Sequence, residues 1–122
     1  MINVKDQVYS AVCSADSSLD VSDVYPRDWT AKYCCQLVEE DNSVIEKTDN
    51  EEQKAKLRFA LYLWSDHSLS ALKVAIDEKV SALGLVRTMC QDVNDPSGRR
   101  HAVMRYEGII DVNTEQVYWN FQ

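Results

Sequence analysis

The sequence predicts a two-layer α+β domain, in which two helices pack on one face of a mostly antiparallel sheet. Apolar residues recur at helical spacing in two separate segments, and a ten-residue segment alternates strictly between two faces. The segments follow one another as helix, strands, helix, strands, and a single sheet with both helices on one side is their simplest arrangement. The chain has 122 residues, the usual size of one domain. We therefore expect residues 1–122 to form one unit.

The first segments predict a helix and then a short edge strand. Asn3 is suited to cap a helix that begins at Val4. The apolar face of this helix consists of Val4, Val8, Ala11, Val12 and Ala15. Residues 14–20 are small and polar, as in a loop. The apolar residues of 21–25 then predict a short strand that Pro26 ends.

The middle of the chain predicts two strands with an acidic connection. Residues 32–38 form one strand candidate. Residues 55–64 alternate between two faces and predict a central strand. Between them, residues 39–54 are too polar to bury, which predicts a long exposed acidic loop or the tip of an extended hairpin.

The second half predicts a helix and two further strands. Ser68 is a candidate cap for a helix whose apolar stripe consists of Leu69, Leu72, Ile76, Val80 and Leu83, with Gly84 ending it in a left-handed conformation. The outer positions of this helix are assigned to Lys73, Asp77, Glu78 and Lys79. Residues 85–93 and 99–112 predict strands joined by a turn at 94–98, and Gly108 suggests a bulge. A last short strand follows residues 113–115.

The composition argues against several classes of protein. The net charge is −7 and the 13 Lys and Arg residues are scattered, so we do not expect sequence-specific binding of nucleic acid. No apolar run reaches the length of a membrane span, and the N-terminus lacks the pattern of a signal peptide. We expect a protein made in a cytoplasm, whose four cysteines are free and mostly buried thiols.

No motif predicts a catalytic, nucleotide or metal site. Three glycines are too few and too far apart for a phosphate-binding loop, and no close pair of Cys or His predicts zinc. Residues 92–98 are partly similar to a calcium loop, but a β-turn explains them better. Cys90 and His101 would form a nucleophile and base only if they met across a hairpin. We therefore expect no cofactor and no enzymatic activity.

Two charged groups are candidates for binding a partner. Arg99, Arg100 and His101 form a dense basic cluster at a predicted turn, which suits either an interface or a solvated flank. The acidic set in the predicted loop consists of Glu39, Glu40, Asp41, Asp49, Glu51 and Glu52. Because the two groups have opposite signs, contact between them across two copies of the chain is one hypothesis. A second hypothesis is that the acidic set lines a channel and repels passing DNA.

The order of these elements resembles the small tail-terminator or tail-completion proteins of tailed bacteriophages and prophages, including the tail-to-head joining type. The resemblance covers most of the chain and rests on layout and on short segments. These are VKDQVY at 4–9, VYP at 24–26, LYLWS at 61–65, the helix at 70–83, DVNDPSG at 92–98 and RYEGIID at 105–111.

The resemblance implies a structural protein of the virion without an active site. Such a protein forms a ring, expected to contain six copies, at the head-proximal end of the tail tube. Its partners would be other copies of itself, the tail tube protein and the head-completion or connector protein, with DNA passing through the ring. It would be found in the host cytoplasm during assembly and then in the virion. The alternatives are a head-closure or tail-tube protein, or an acidic inhibitor that mimics DNA.

Overall fold

The computed structural model describes residues 4–26, 32–48, 51–111 and 117–118. Its elements are α1 (Lys5–Cys13), β1 (Leu19–Ser22), β2 (Tyr33–Thr48), β3 (Glu51–Ser65), α2 (Ser70–Ser81), β4 (Val86–Val93), β5 (Arg100–Asp111) and β6 (Val117–Tyr118). The predicted fold class is confirmed, because both helices pack on one face of a mostly antiparallel sheet. Neither described helix is long and apolar enough to cross a membrane.

The strands lie in the order β1-β2-β3-β5-β4, and β6 pairs with the end of β5. β1 is parallel to β2, and every other described pair is antiparallel. The central strand β3 confirms the alternation seen in the sequence. Leu57, Phe59, Leu61 and Leu63 are fully buried beneath the helices, while Arg58, Tyr62 and Trp64 lie on the open face.

The core lies between the helices and one face of the sheet. The helices contribute Val8, Val12, Leu72, Ile76 and Val80, and the neighbouring strands contribute Leu37, Ala102, Met104 and Tyr106. The predicted helical stripes are therefore confirmed. Gly84 has a φ of 97°, which confirms the left-handed exit from α2.

Several predicted boundaries are wrong by a few residues. β1 begins and ends earlier than the predicted strand at 21–25, and it runs parallel to β2. The N-cap of α2 is Leu69 rather than Ser68, and the hydroxyl of Ser68 accepts a hydrogen bond from the amide of Ser70 at 3.4 Å. The predicted cap Asn3 lies outside the described residues.

The acidic segment 39–54 is part of a long hairpin, so the prediction of a loop is wrong and the hairpin alternative is correct. β2 continues to Thr48, and β3 already begins at Glu51. A polar segment can form strands here because antiparallel pairing satisfies its backbone hydrogen-bonding groups. A bulge between Glu39 and Asp41 interrupts the β2 register.

The bulge predicted at Gly108 is also wrong. Gly108 pairs in regular register with Leu57, and the irregularity of this region lies instead in β4, between Arg87 and Met89. Asp77 does not point away from the sheet as predicted. Its carboxylate accepts a hydrogen bond from the buried hydroxyl of Tyr106 at 2.9 Å.

The four cysteines are free thiols, as predicted. Cys34 and Cys35 are both buried, on opposite faces of β2. Burial raises the pKa of the Cys35 thiol, and the nearby Cys13 adds to this effect. Cys13 is half-buried and Cys90 is exposed on β4, so the expectation of mostly buried thiols holds only for Cys34 and Cys35.

Candidate functional site

A cleft of about 670 Å³ opens at the end of the sheet where β3 gives way to α2. Its walls are the turn after β3, the first turn of α2 and the turn between β4 and β5. The basic cluster predicted from the sequence lies here, because Arg99, Arg100 and His101 all line the cleft. The structure therefore brings the three predicted residues together in one concave surface.

The turn between β4 and β5 has the geometry that its sequence predicts. The amide of Gly98 donates to the carbonyl of Asp95 at 3.0 Å, and Gly98 has a φ of 79°. The Asp95 carboxylate accepts hydrogen bonds from the hydroxyl and the amide of Ser97. These bonds, the hydroxyl first, lower the pKa of Asp95, with smaller contributions from His101 and Trp64. The β-turn therefore accounts for the residues that partly resemble a calcium loop.

The cleft carries charges of both signs. Arg99 Nε lies 3.7 Å from the carboxylate of Asp66, and Lys73 Nζ lies 2.8 Å from that of Asp92. Both acidic partners are well exposed, with side chains 71% and 75% accessible. The cluster is thus not a bare basic patch, and a ligand at Arg99 or Lys73 has to share or displace an ion pair. Arg100 is exposed at the rim.

His101 is held by its neighbours on the open face of the sheet. Its ring stacks on Trp64 with a centroid distance of 4.7 Å, and Tyr62 continues the stack at 6.4 Å. Its Nδ1 donates a hydrogen bond to the carbonyl of Leu63 at 2.8 Å, which requires a proton on that nitrogen. Tyr25 packs edge-on against Trp64. His101 therefore forms one wall of the cleft by packing, and both arginines lie beside it.

The acidic set occupies the β2–β3 hairpin. Glu40 is fixed on the open face, where Arg105 donates to both its carboxylate oxygens at 2.9 and 3.5 Å, and Arg58 lies 3.5 Å away. Glu107 lies 3.7 Å from Arg58 and extends this network. The hydrogen bond to Glu40 raises the pKa of Arg105. The charge of Glu40 is thus largely neutralised within the chain.

The other acidic residues are less constrained. Glu39 is half-buried on β2, and Asp41 accepts a hydrogen bond from Ser43. Glu51 and Glu52 lie in the first residues of β3, and Asp49 lies outside the described residues.

The basic cluster lies at one end of the sheet, whereas the acidic set extends from the middle of β2 to the beginning of β3 at the other end. Arg100 pairs with Ser65 at the end of β3, whereas Glu51 and Glu52 lie at its beginning. Fourteen steps of about 3.3 Å separate the two ends, a distance of roughly 45 Å. The groups therefore do not meet within one chain.

Cys90 and His101 do not form the nucleophile and base considered from the sequence. Cys90 pairs with Met104, whose side chain lies under the helices, whereas His101 lies on the open face. The two side chains therefore point to opposite sides of the sheet. Within the described ranges, no group of three His, Cys, Asp or Glu side chains is arranged to hold a metal ion.

Two polar networks were missed by sequence reasoning. One joins Glu40, Arg58, Arg105 and Glu107, and the other joins Tyr106, Asp77 and Arg87 across α2, β5 and β4. Arg58 lies 18 residues from Glu40 along the chain, and Arg105 lies 65 residues from it. The register of the sheet brings both arginines to Glu40. The charged positions Lys56 and Arg58 in the alternation of β3 were a signal in the sequence for charge on the open face.

No protein-family model matches this chain, and no curated protein matches it either.

Proposed function

We propose that the protein is a structural subunit of a phage or prophage virion that forms a ring at the head-proximal end of the tail tube. The ring would stop polymerisation of the tube and present a surface to the head connector, while DNA passes through without sequence-specific binding. The resemblance of the sequence to tail-terminator proteins motivates this proposal. The observation that carries it is that the cleft with the basic cluster and the end of the β2–β3 hairpin lie at opposite ends of β3.

An adaptor between two structures needs two different faces on opposite sides. At one end of the sheet lies the cleft with Arg99 and Arg100. At the other end, within the described residues, the hairpin continues past the last pair of β3 with β5, Lys54 with Asp111, as far as the pair of Thr48 with Glu51. A two-stranded hairpin is marginally stable in water, so such a projection gains most from being covered by a partner.

The ion pairs of the described residues also favour an assembly part over a mimic of DNA. A mimic presents carboxylates in a regular, unneutralised row. Here Glu40, Asp77 and Asp92 each pair with a basic side chain. The surface left by these pairs has mixed charges, which is typical of a protein interface.

The proposal is tested in a phage or inducible prophage that carries this gene. Deletion of a terminator should give abnormally long tails in electron micrographs, whereas deletion of a head-closure protein should leave tails of normal length without heads. Normal tail length in the deletion strain would rule out the terminator role.

Two variants test whether the two ends bind different partners. Arg99→Glu with Arg100→Glu changes the cleft, and replacement of residues 47–53 by Asn-Gly removes the projecting part of the hairpin. We expect one variant to give long tails and the other to give normal tails without heads. The same defect in both variants would contradict an adaptor with one partner at each end.

A further inference from the structure

β4 forms an outer edge of the sheet that is open to solvent. It lies at the end of the strand order, and in the described part of the chain only β5 pairs with it. Six of its eight residues are exposed, from Arg87 to Val93 with the exception of Met89. Its outward backbone groups are therefore accessible to another strand.

This edge lacks the usual protection against pairing. Residues 88–91 contain no charged residue and no proline, the features by which edge strands commonly avoid other chains. The two charged residues of β4 turn towards α2, where Arg87 lies 3.5 Å from Asp77 and Asp92 lies 2.8 Å from Lys73. The bulge near Thr88 disturbs only the beginning of the strand, and residues 89–93 keep a regular register.

A second open edge lies on the other side of the same sheet. β1 covers β2 only from Tyr33 to Gln36, and no described strand pairs with the outer side of β2 beyond that point. A groove of about 380 Å³ begins where β1 ends, between α1 and Leu37. Tyr9, which lines this groove, is 44% exposed. β1 thus occupies the position next to β2 for four residues, and no described strand occupies it from Leu37 onwards.

The directions of the strands make the two edges complementary. Along the sheet, β2, β3, β5 and β4 are each antiparallel to the next, so β4 runs opposite to β2. A second copy in the same orientation, shifted along the strands so that its β4 passes the end of β1, therefore brings β4 antiparallel to the open edge of β2. The helices of both copies then stay on the same side, and the sheet continues from one copy to the next.

We propose that copies of this chain assemble by antiparallel pairing of β4 from one copy with the edge of β2, from Leu37 onwards, in the next copy. The inference rests on the proposed ring and names the contact that builds it. Each copy donates one edge and accepts another, so the contact is heterologous. It closes into a ring when the rotation between copies divides a full turn and tilted strands absorb the shift, so that no net rise along the axis remains. The cleft and the hairpin end then lie on opposite rims.

The test blocks each edge separately with lysine, which edge strands use to prevent pairing. Thr88→Lys with Gln91→Lys blocks the donor edge, and Val38→Lys with Ser43→Lys blocks the acceptor edge. Val74→Lys is the matched control, because Val74 lies on α2 and is 69% exposed. Circular dichroism and cooperative unfolding establish that each variant is folded. If a double variant does not fold, the single variant Gln91→Lys or Ser43→Lys is used in its place.

Light scattering then gives the mass of each assembly. We expect the wild-type chain and the Val74→Lys control to assemble beyond a dimer. Each blocked variant should need a concentration about tenfold higher or more for half-assembly. An equimolar mixture of the two blocked variants should give a heterodimer, because one unblocked pair of edges remains.

Other outcomes overturn the proposal. The proposal fails if a variant with either edge blocked assembles like the wild type. It also fails if the wild-type chain stays monomeric up to its solubility limit. A variant blocked at β2 that still dimerises, beside a monomeric variant blocked at β4, would show symmetric pairing of two β4 strands instead.

The assembly experiment and the gene-deletion experiment can fail independently of each other. If blocked variants lose assembly but deletion of the gene leaves tail length normal, the edge contact stands and the terminator role fails. If deletion gives long tails but blocked variants assemble normally, the terminator role stands and the edge contact fails.

Discussion

At the scale of single residues, the contact between Tyr106 and Asp77 joins the helical layer to the sheet. The ring of Tyr106 is fully buried, and its hydroxyl donates to the Asp77 carboxylate at 2.9 Å. Arg87 lies on the other side of that carboxylate at 3.5 Å. A buried hydroxyl with a charged acceptor is among the stronger hydrogen bonds in a protein. It positions α2 over β5.

Tyr106→Phe removes this hydrogen bond and keeps the ring. We expect the free energy of unfolding to fall by about 1.5 kcal/mol, the usual size for a hydrogen bond to a charged group. Urea denaturation measures the change. A double-mutant cycle with Asp77→Ala provides the control, and a coupling energy near zero would contradict a direct bond.

The same pair predicts how stability depends on alkaline pH. Burial, and then the hydrogen bond and the charge of Asp77, raise the pKa of Tyr106 above its ordinary value of 10.0. The phenol therefore stays protonated in the folded chain where it ionises in the unfolded chain, which favours unfolding above about pH 10. We expect the stability difference between wild type and Tyr106→Phe to shrink from pH 9 to pH 11, measured by urea denaturation. A constant difference would contradict the raised pKa.

Glu40 provides a second prediction at this scale. Its carboxylate is the common partner of Arg58 and Arg105, and its side chain is 21% exposed. Glu40→Ala leaves two guanidinium groups close together without their shared acceptor. We expect a loss of about 1 kcal/mol in the free energy of unfolding, since the pair is partly solvated. The loss should decrease in high salt, and the exposed Glu78→Ala serves as the control.

At the scale of elements, the turn between β4 and β5 depends on one glycine. Gly98 has a φ of 79°, and a Cβ added there would meet nothing within 4 Å. The cost of a substitution is therefore backbone strain without any steric clash.

Gly98→Ala should lower the free energy of unfolding by about 1 kcal/mol, and Gly98→Asn should lower it less because Asn tolerates the left-handed region. Thermal denaturation of both variants measures the difference. Equal stability of the Ala variant and the wild type would mean that the turn adopts another conformation.

The elements also differ in how far the sequence predicts them. β3 and α2 were predictable because a period of two and a helical stripe each follow from burial on one side. The long hairpin was harder, because residues 39–54 contain little apolar sequence, and pairing between backbones leaves no trace in hydropathy. The parallel pairing of β1 was not predicted either, since direction depends on tertiary packing.

The candidate site was predicted in part for similar reasons. The sequence identifies Arg99, Arg100 and His101 as neighbours because they are adjacent in the chain. It does not reveal that Asp66 and Lys73 complete the same cleft, since those residues come from the turn after β3 and from α2. Ion pairs such as that of Glu40 with Arg105 depend on sheet register, which local patterns do not fix.

At the scale of the whole molecule, self-assembly should raise the thermal stability of the folded chain. A folded state that binds further copies is stabilised by mass action, so its melting temperature rises with protein concentration. We expect a rise of several degrees over a hundredfold range of concentration in calorimetry. The variant with Thr88→Lys and Gln91→Lys should show little rise, and an equal rise in both would contradict assembly through β4.

The position of β5 between β3 and β4 also determines the order in which the molecule can fold. β4 precedes β5 in the chain, and β5 is the one described strand that pairs with it. During synthesis, the hairpin of β2 and β3 forms from adjacent segments, while β4 has no place until β5 has emerged. Met104 and Tyr106 of β5 then complete the core at once. Such non-local closure is typically slow, so the edge of β3 that pairs with β5 should stay unpaired, and open to chaperones on the ribosome, until that late step.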